Sequence, residues 1–299
     1  MKSSRVILLI AAAIAISACH PGNEEVKRLR SSCESGNAAD CNKYAVKLEK
    51  GEYVLEDQKQ AARIFDTACI AGVGEGCASL GVMAQRGRGM KRDSARAKAL
   101  FERGCERGAM VGCANLGVLY RDGLGFTRDV NRATALFQQA CNGGEMTGCA
   151  HLGGLYVKGE GVTKDIAQAA ALFTKACDAK IAVGCAGLGR LHAAGTGVAQ
   201  NDSLAGDLFT RSCKKEERAG CFDLALAYET GKGANQSFWV AADMYDEECD
   251  DANAEACVRL ASLYDKGAGV PRDPKKAAQL RLKACGYGHA VACPKGKES

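Results

Sequence analysis

Apolar residues in this chain fall on a helical period, and the helical segments themselves recur every 36 residues. The clearest unit runs from Cys113 to Cys141, CANLGVLYRDGLGFTRDVNRATALFQQAC. Its Leu116 stands three residues after the cysteine and Tyr120 four further on, and the same offsets carry Leu80, Leu152, Leu188, Leu224 and Leu260, and Tyr156, Tyr228 and Tyr264. Cysteine, leucine and tyrosine at i, i+3 and i+7 make the apolar stripe of an amphipathic helix, termed helix A, with Leu188 read as core like its counterparts. A Gly-x-Gly follows at 87/89, 123/125, 159/161, 195/197, 231/233 and 267/269. Glycine just past an apolar-periodic stretch is a helix stop, because it takes left-handed backbone geometry without a Cβ penalty.

In the same register come Asp57, Asp93, Asp129, Asp165, Asn201, Ser237 and Asp273. All are good N-cap residues, able to accept from the free backbone amides of a second helix, helix B. Four residues later stands an alanine in every unit, from Ala61 to Ala277, small enough to let helices approach closely. Apolar pairs such as Leu136-Phe137 and Leu172-Phe173 follow, and the next cysteine closes helix B. Such a hairpin cannot bury its apolar faces alone and must stack on its neighbours. The pattern predicts an all-α fold, an α/α solenoid of seven hairpins over residues 39–288, with 24–38 as an N-terminal half-unit and 294–299 as a tail.

Cysteine is the compositional anomaly, at 17. Apart from Cys19 the cysteines form the pairs 33/41, 69/77, 105/113, 141/149, 177/185, 213/221, 249/257 and 285/293, each with a separation of eight. The periodicity selects i to i+8 pairing: Cys33 with Cys41, Cys69 with Cys77, Cys105 with Cys113, Cys141 with Cys149, Cys177 with Cys185, Cys213 with Cys221, Cys249 with Cys257, and Cys285 with Cys293. Each bridge would pin one turn between hairpins in the same local geometry, contributing about 2.5 kcal/mol in the chain-entropy model. Zinc is the competing use of cysteine, but structural sites place ligands two to four residues apart and complete them to four, which this spacing does not. No metal or cofactor is expected.

The N-terminus adds Lys2 and Arg5, the apolar run Val6 to Ile16, then Ser17-Ala18-Cys19. Eleven apolar residues are too few to span a bilayer, so residues 1–18 are an expected export signal. Ile16-Ser17-Ala18-Cys19 resembles a bacterial lipobox, which implies lipidation of Cys19, a tether over 19–23, and attachment to a membrane by the lipid alone. The residue after Cys19 is not aspartate, which resembles outer-membrane sorting and implies a periplasm-facing outer-membrane lipoprotein of a Gram-negative-type bacterium. Loss of Lys2 and Arg5 leaves 38 basic against 35 acidic side chains, an excess too small to imply nucleic acid as a partner.

The 36-residue unit, the CANLGVLY-type helix A, the Gly-x-Gly followed by Asp, and the cysteine spacing together resemble the Sel1-like repeat family. Within it they resemble the cysteine-rich branch typified by the Helicobacter cysteine-rich proteins, over residues 24–293. The resemblance implies a right-handed, tetratricopeptide-like superhelix with binding along a concave face. It also implies two functional readings, because members of that branch have been described as penicillin-binding proteins or weak β-lactamases, and other Sel1-like proteins as adaptors in signalling or envelope assembly.

A serine β-lactamase needs a Ser-x-x-Lys with Ser-Asp-Asn and Lys-Thr-Gly companions. Ser212-Cys213-Lys214-Lys215 is the single Ser-x-x-Lys, it straddles a structural cysteine, and neither companion occurs. His20, His151, His192 and His289 are scattered, and His192 fills a tyrosine slot as an expected packed, hydrogen-bonded core side chain. No catalytic residue is assigned.

Binding is expected where framework positions give way to varied ones. Two residues after the second cysteine the chain reads Lys43, Ser79, Asn115, His151, Gly187, Asp223, Arg259, and three further on Val46, Val82, Val118, Gly154, Arg190, Leu226, Ser262. These offsets lie away from the Leu/Tyr stripe and should align as a strip. Asn115, His151, Arg190, Asp223 and Arg259 are the expected contacts, with both arginines exposed, since such groups grip peptide backbone or carboxylates. The sequence thus points to a monomeric, envelope-tethered, non-catalytic scaffold for a peptide, protein or peptidoglycan fragment. The alternative is a β-lactamase-like hydrolase acting on β-lactams or muropeptides.

Overall fold

The computed structural model describes residues 21–124, 127–214 and 218–293. The expected export signal 1–18, Cys19, Gly125, Lys215 and the tail 294–299 lie outside the described residues. The fold is an α/α array: α1 (Pro21–Glu34), α2 (Ala38–Lys50), α3 (Gln58–Ile70), α4 (Gly74–Arg86), α5 (Ser94–Glu106), α6 (Met110–Asp122), α7 (Val130–Asn142), α8 (Met146–Lys158), α9 (Ile166–Asp178), α10 (Ala182–Ala194), α11 (Asp202–Ser212), α12 (Cys221–Thr230), α13 (Phe238–Asp250), α14 (Ala254–Lys266) and α15 (Pro274–Gly286), then a 3₁₀ turn at Ala290–Ala292. From α2 on, even-numbered helices are of type A and odd-numbered ones of type B. Among the described residues no helix is long and apolar enough to cross a membrane. The chain divides into two compact units, Met1–Gly148 and Cys149–Ser299, and within each a helix packs chiefly on its neighbours in sequence.

Every predicted N-cap is in place. Asp57, Asp93, Asp129, Asp165, Asn201, Ser237 and Asp273 each accept from the backbone N–H three residues on. The first glycine of the Gly-x-Gly ends helix A in the left-handed region, as at Gly87 with φ 73°. The second has a different task. A Cβ on Gly89 would lie 2.2 Å from the carbonyl oxygen of Gln58, so its absence lets the loop close on the start of α3.

Six of the seven hairpin cores are built round one aromatic ring of helix B, and the last, at α15, carries Arg281 at that register and buries Leu280 instead. Phe65, Phe101 and Phe137 in the first unit are fully buried, and Phe173 and Phe209 in the second nearly so. A glycine faces most of these rings from helix A: a Cβ on Gly81 would come within 2.6 Å of Phe101, and one on Gly189 within 2.6 Å of Phe209. The seven helix-B alanines, Ala61 to Ala277, are buried beside them. Leu80, Leu116, Leu152, Leu224 and Leu260 are core as expected. Leu188 is not: it is half-buried, packed at the edge of the Phe173 and Leu208 clusters.

All sixteen periodic cysteines are in disulfides, which removes their thiolates from any metal. The seven bridges Cys33–Cys41, Cys69–Cys77, Cys105–Cys113, Cys177–Cys185, Cys213–Cys221, Cys249–Cys257 and Cys285–Cys293 have Cα–Cα distances between 4.5 and 4.8 Å. Bridge geometry repeats, but the turn it closes does not always. At Cys213–Cys221 helix α11 stops at Ser212 and α12 begins only at Cys221, shorter than their counterparts. Arg218 stands where other hairpins begin helix A with Gly74, Ala182 or Ala254, and its guanidinium pairs instead with Glu247, Glu248 and Asp251 near the end of α13.

Candidate functional site

In the second unit the A helices α10, α12 and α14 present their varied offsets in succession, and two expected contacts meet there. Arg190 Nε lies 2.9 Å from Asp223 Oδ2, and Arg190 Nη2 donates to the Ala219 carbonyl at 3.2 Å, tying α10 to the start of α12. Arg190 stays exposed, while the Asp223 carboxyl is mostly covered. Burial therefore pushes the Asp223 carboxyl above the usual carboxylate range, although Arg190 pulls the other way.

The pair borders a groove of about 360 Å³. Its apolar floor is Ala193, Ala194, Ala205, Phe209, Leu226 and Ala227, and its rim includes Asp202, Thr230 and Lys232. Three shortened side chains open it. Ala193 and Ala194 stand where other A helices carry Arg121 and Asp122, Val157 and Lys158, or Asp265 and Lys266, and Ala227 stands where they carry Met83, Leu119, Leu155, Leu191 or Leu263. The missing volume leaves Phe209, which is itself packed on Gly189, forming part of the floor. An apolar floor with a few convergent charged groups is the usual make-up of a ligand site.

A raised folded-state carboxyl pKa has a definite sign. The contribution of Asp223 to stability is complete below its unfolded value and is lost as pH rises through the folded one. Arg190→Gln removes the opposing cation and is expected to raise the Asp223 pKa further, at a stability cost within about 1 kcal/mol because the arginine is exposed. Carboxyl-carbon NMR titration of Asp223 checks this. A downward movement in the variant would mean that Arg190 does not act on this carboxyl.

The remaining expected contacts are differently placed. Arg259 is not an exposed cation: it is partly buried on α14, and its Nη1 meets Glu229 Oε2 at 3.0 Å. That carboxylate also accepts from the Tyr245 hydroxyl at 2.7 Å. Tyr245 replaces the phenylalanine of the five preceding hairpins and is fully buried, so its hydroxyl needs a partner, and Glu229 and Arg259 supply one as a framework cluster. Burial first, then Glu229, pushes the Tyr245 pKa up. Gly187 breaks the strip because it is buried against the Phe173 ring. In the first unit Asn115 Nδ2 donates to the Val111 carbonyl of its own helix. His151 is half-buried on α8. His192 Nδ1 lies 3.0 Å from the Ala199 carbonyl, but the ring is half-exposed rather than core. Ser212 is fully buried and donates to the Phe209 carbonyl at 2.9 Å, so it offers no accessible nucleophile.

A family model described as Sel1 repeat matches residues 38–73, 74–108, 111–145, 147–180, 182–216, 218–238 and 254–286. The chain belongs to the Sel1 repeat family. Its cysteine pairs fit the cysteine-rich branch, and the match lapses only briefly, most widely across 239–253, in α13 and the turn after it. Among solved structures this Sel1 repeat protein is similar to c5321, a protective antigen of uropathogenic Escherichia coli strains displaying an SLR fold, with 25% identity over 89% of this chain and a TM-score of 0.56. The chain spans 57% of that protein's length. A Sel1 repeat protein from Oxalobacter formigenes shows the same fold, with 24% identity, 89% of this chain and 78% of that one covered, and a TM-score of 0.57. Helicobacter pylori cysteine rich protein B is 29% identical over 41% of this chain and 88% of its own, with a TM-score of 0.34. Comparison with curated proteins returned no match.

Proposed function

We propose that this Sel1 repeat protein is a non-catalytic binding scaffold, and that it seats an extended peptide segment of a partner protein in the groove between α10 and α12. Sel1 repeat proteins are typically protein-interaction modules, and the observation that carries the reading here is the groove itself. Its Phe209 and Leu226 would receive an apolar side chain, while Arg190 and Asp223 would bond the peptide backbone beside it. Leu226→Asp places a charge on the floor without touching Phe209. A photo-crosslinking side chain at position 226 is expected to capture a discrete peptide or protein, with capture suppressed by Arg190→Ala and absent when the crosslinker sits instead at the exposed Lys175, outside the groove. Capture of a peptidoglycan fragment in its place would keep the groove and change the ligand class.

The hydrolase reading survives only with a nucleophile other than Ser212. Sustained nitrocefin turnover by purified, oxidised protein would overturn the scaffold reading. The disulfides favour an oxidising compartment outside the cytoplasm. Export as a lipoprotein anchored through Cys19 and facing the periplasm from the outer membrane is our reading of the N-terminal segment. Cys19→Ala is expected to release soluble protein, and a variant that stays with the membrane fraction would place the tether elsewhere.

A further inference from the structure

In the first unit Lys59 and Arg63 on α3, Lys91 and Arg92 in the loop after α4, and Arg96 on α5 are all exposed, and none makes an ion pair or a side-chain hydrogen bond among the described residues. They are not scattered. Lys59, Arg63 and Arg96 line a cleft of about 240 Å³, and Lys91, Arg92 and Arg96 line an adjoining one of about 470 Å³, with Met90 and Arg96 shared between the two. Two carboxylates face them, Asp66 in the smaller cleft and Asp93 in the larger, and Asp93 is committed to capping α5.

The framework does not require Lys59 and Arg63. At the register of Lys59 and Arg63 the following hairpins carry Ala95 and Ala99, Asn131 and Ala135, Ala167 and Ala171, then Ser203 and Asp207. One hairpin on, the cleft matching the larger one is lined by Lys98 and Arg128. Both are already engaged, Lys98 with Glu102 and Arg128 with the Arg121 carbonyl. Holding five unpaired cations together is electrostatically unfavourable without a counter-charge, and three of them are arginines, whose planar fork matches the oxygens of a phosphate group. The α5 N-terminus, at Ser94, opens into the larger cleft and adds its helix dipole to the same sign.

We propose that these adjoining clefts form a binding site for a ligand bearing two phosphate groups, one held by Lys59, Arg63 and Arg96 and the other by Lys91, Arg92 and the start of α5. Two monoester phosphate groups together carry roughly −3 to −4 at neutral pH, and two phosphodiester headgroups about −2, either of which offsets more of the local cationic excess than a single carboxylate would. A soluble diphosphate and the headgroups of anionic lipids present the same chemistry.

The test uses the full, oxidised chain in low salt. Calorimetry with inorganic pyrophosphate is expected to show saturable binding that weakens as sodium chloride is added. Arg63→Ala with Arg96→Ala should weaken it at least tenfold, and Arg63→Lys with Arg96→Lys should restore only part of the loss, since charge returns without the fork. Lys175→Ala should change nothing. In a second arm, co-sedimentation with vesicles of phosphatidylcholine containing one-fifth phosphatidylglycerol asks about the source. Vesicle binding lost in the alanine pair, without pyrophosphate binding, would make a lipid headgroup the source of the phosphate. No binding in either arm, binding unchanged in the alanine pair at an unaltered melting temperature, or equal affinity for a polyglutamate peptide would overturn the proposal.

Discussion

Chemical reduction is expected to unfold most of this chain at temperatures where the oxidised protein is fully helical. Each i to i+8 bridge closes a loop whose entropy corresponds to about 2.5 kcal/mol, with some discount for unfolded-state structure. All sixteen periodic cysteines are bonded. Native domains are stable by only about 5 to 15 kcal/mol, so the summed loss exceeds the whole margin. The bridges sit at the junctions between hairpins, and hairpins depend on those junctions because a single one cannot bury its own apolar face. Far-UV circular dichroism melts of oxidised and reduced protein would check this. Midpoints within a few degrees of each other would mean that packing alone holds the array.

The second large effect is expected at the aromatic slot. Phe101 is fully buried, and Phe101→Ala should cost about 3 to 5 kcal/mol through lost burial and the cavity left behind. Gly81→Ala acts from the opposite side: its new Cβ would approach the Phe101 ring to within 2.6 Å and should cost about 1 to 3 kcal/mol by overpacking. Because the two residues share one space, Gly81→Ala combined with Phe101→Leu should cost less than the sum of the single changes. Denaturant unfolding of the wild type, Gly81→Ala, Phe101→Leu and the double variant measures the coupling. Strict additivity would show that ring and glycine do not constrain each other.

The hairpin architecture was legible because its determinants are local and repeated. Asp93 caps α5 and Gly87 ends α4 for reasons contained within a few residues. The glycine facing the ring was also written in the chain, at Gly81, Gly117, Gly153 and Gly189, but its meaning depends on which ring lies across from it. Gly187 departs from its register for a related reason: a register position specifies direction, while burial at Gly187 depends on the Phe173 ring that fills the space beside it. The same holds for the site. The meeting of Arg190 and Asp223 followed from their offsets, whereas the groove beside them comes from what Ala193, Ala194 and Ala227 lack, visible only when each is set against its counterparts in other hairpins. Arg259 could not be told from a surface cation until Tyr245 and Glu229 were seen to need it.

The shortness of every bridge bears on how the protein is made. In each of the seven bridges described in detail, eight positions separate the partners, and no thiol lies between them, so a chain emerging stepwise into an oxidising compartment presents each correct pair before the next cysteine appears. With Cys19 taken up by lipid, as proposed above, an oxidant that joins the two most recently exposed thiols makes the native pattern. Maturation should therefore proceed in step with translocation and need little isomerase activity, whereas oxidation of the whole reduced chain at once must choose among many wrong partners.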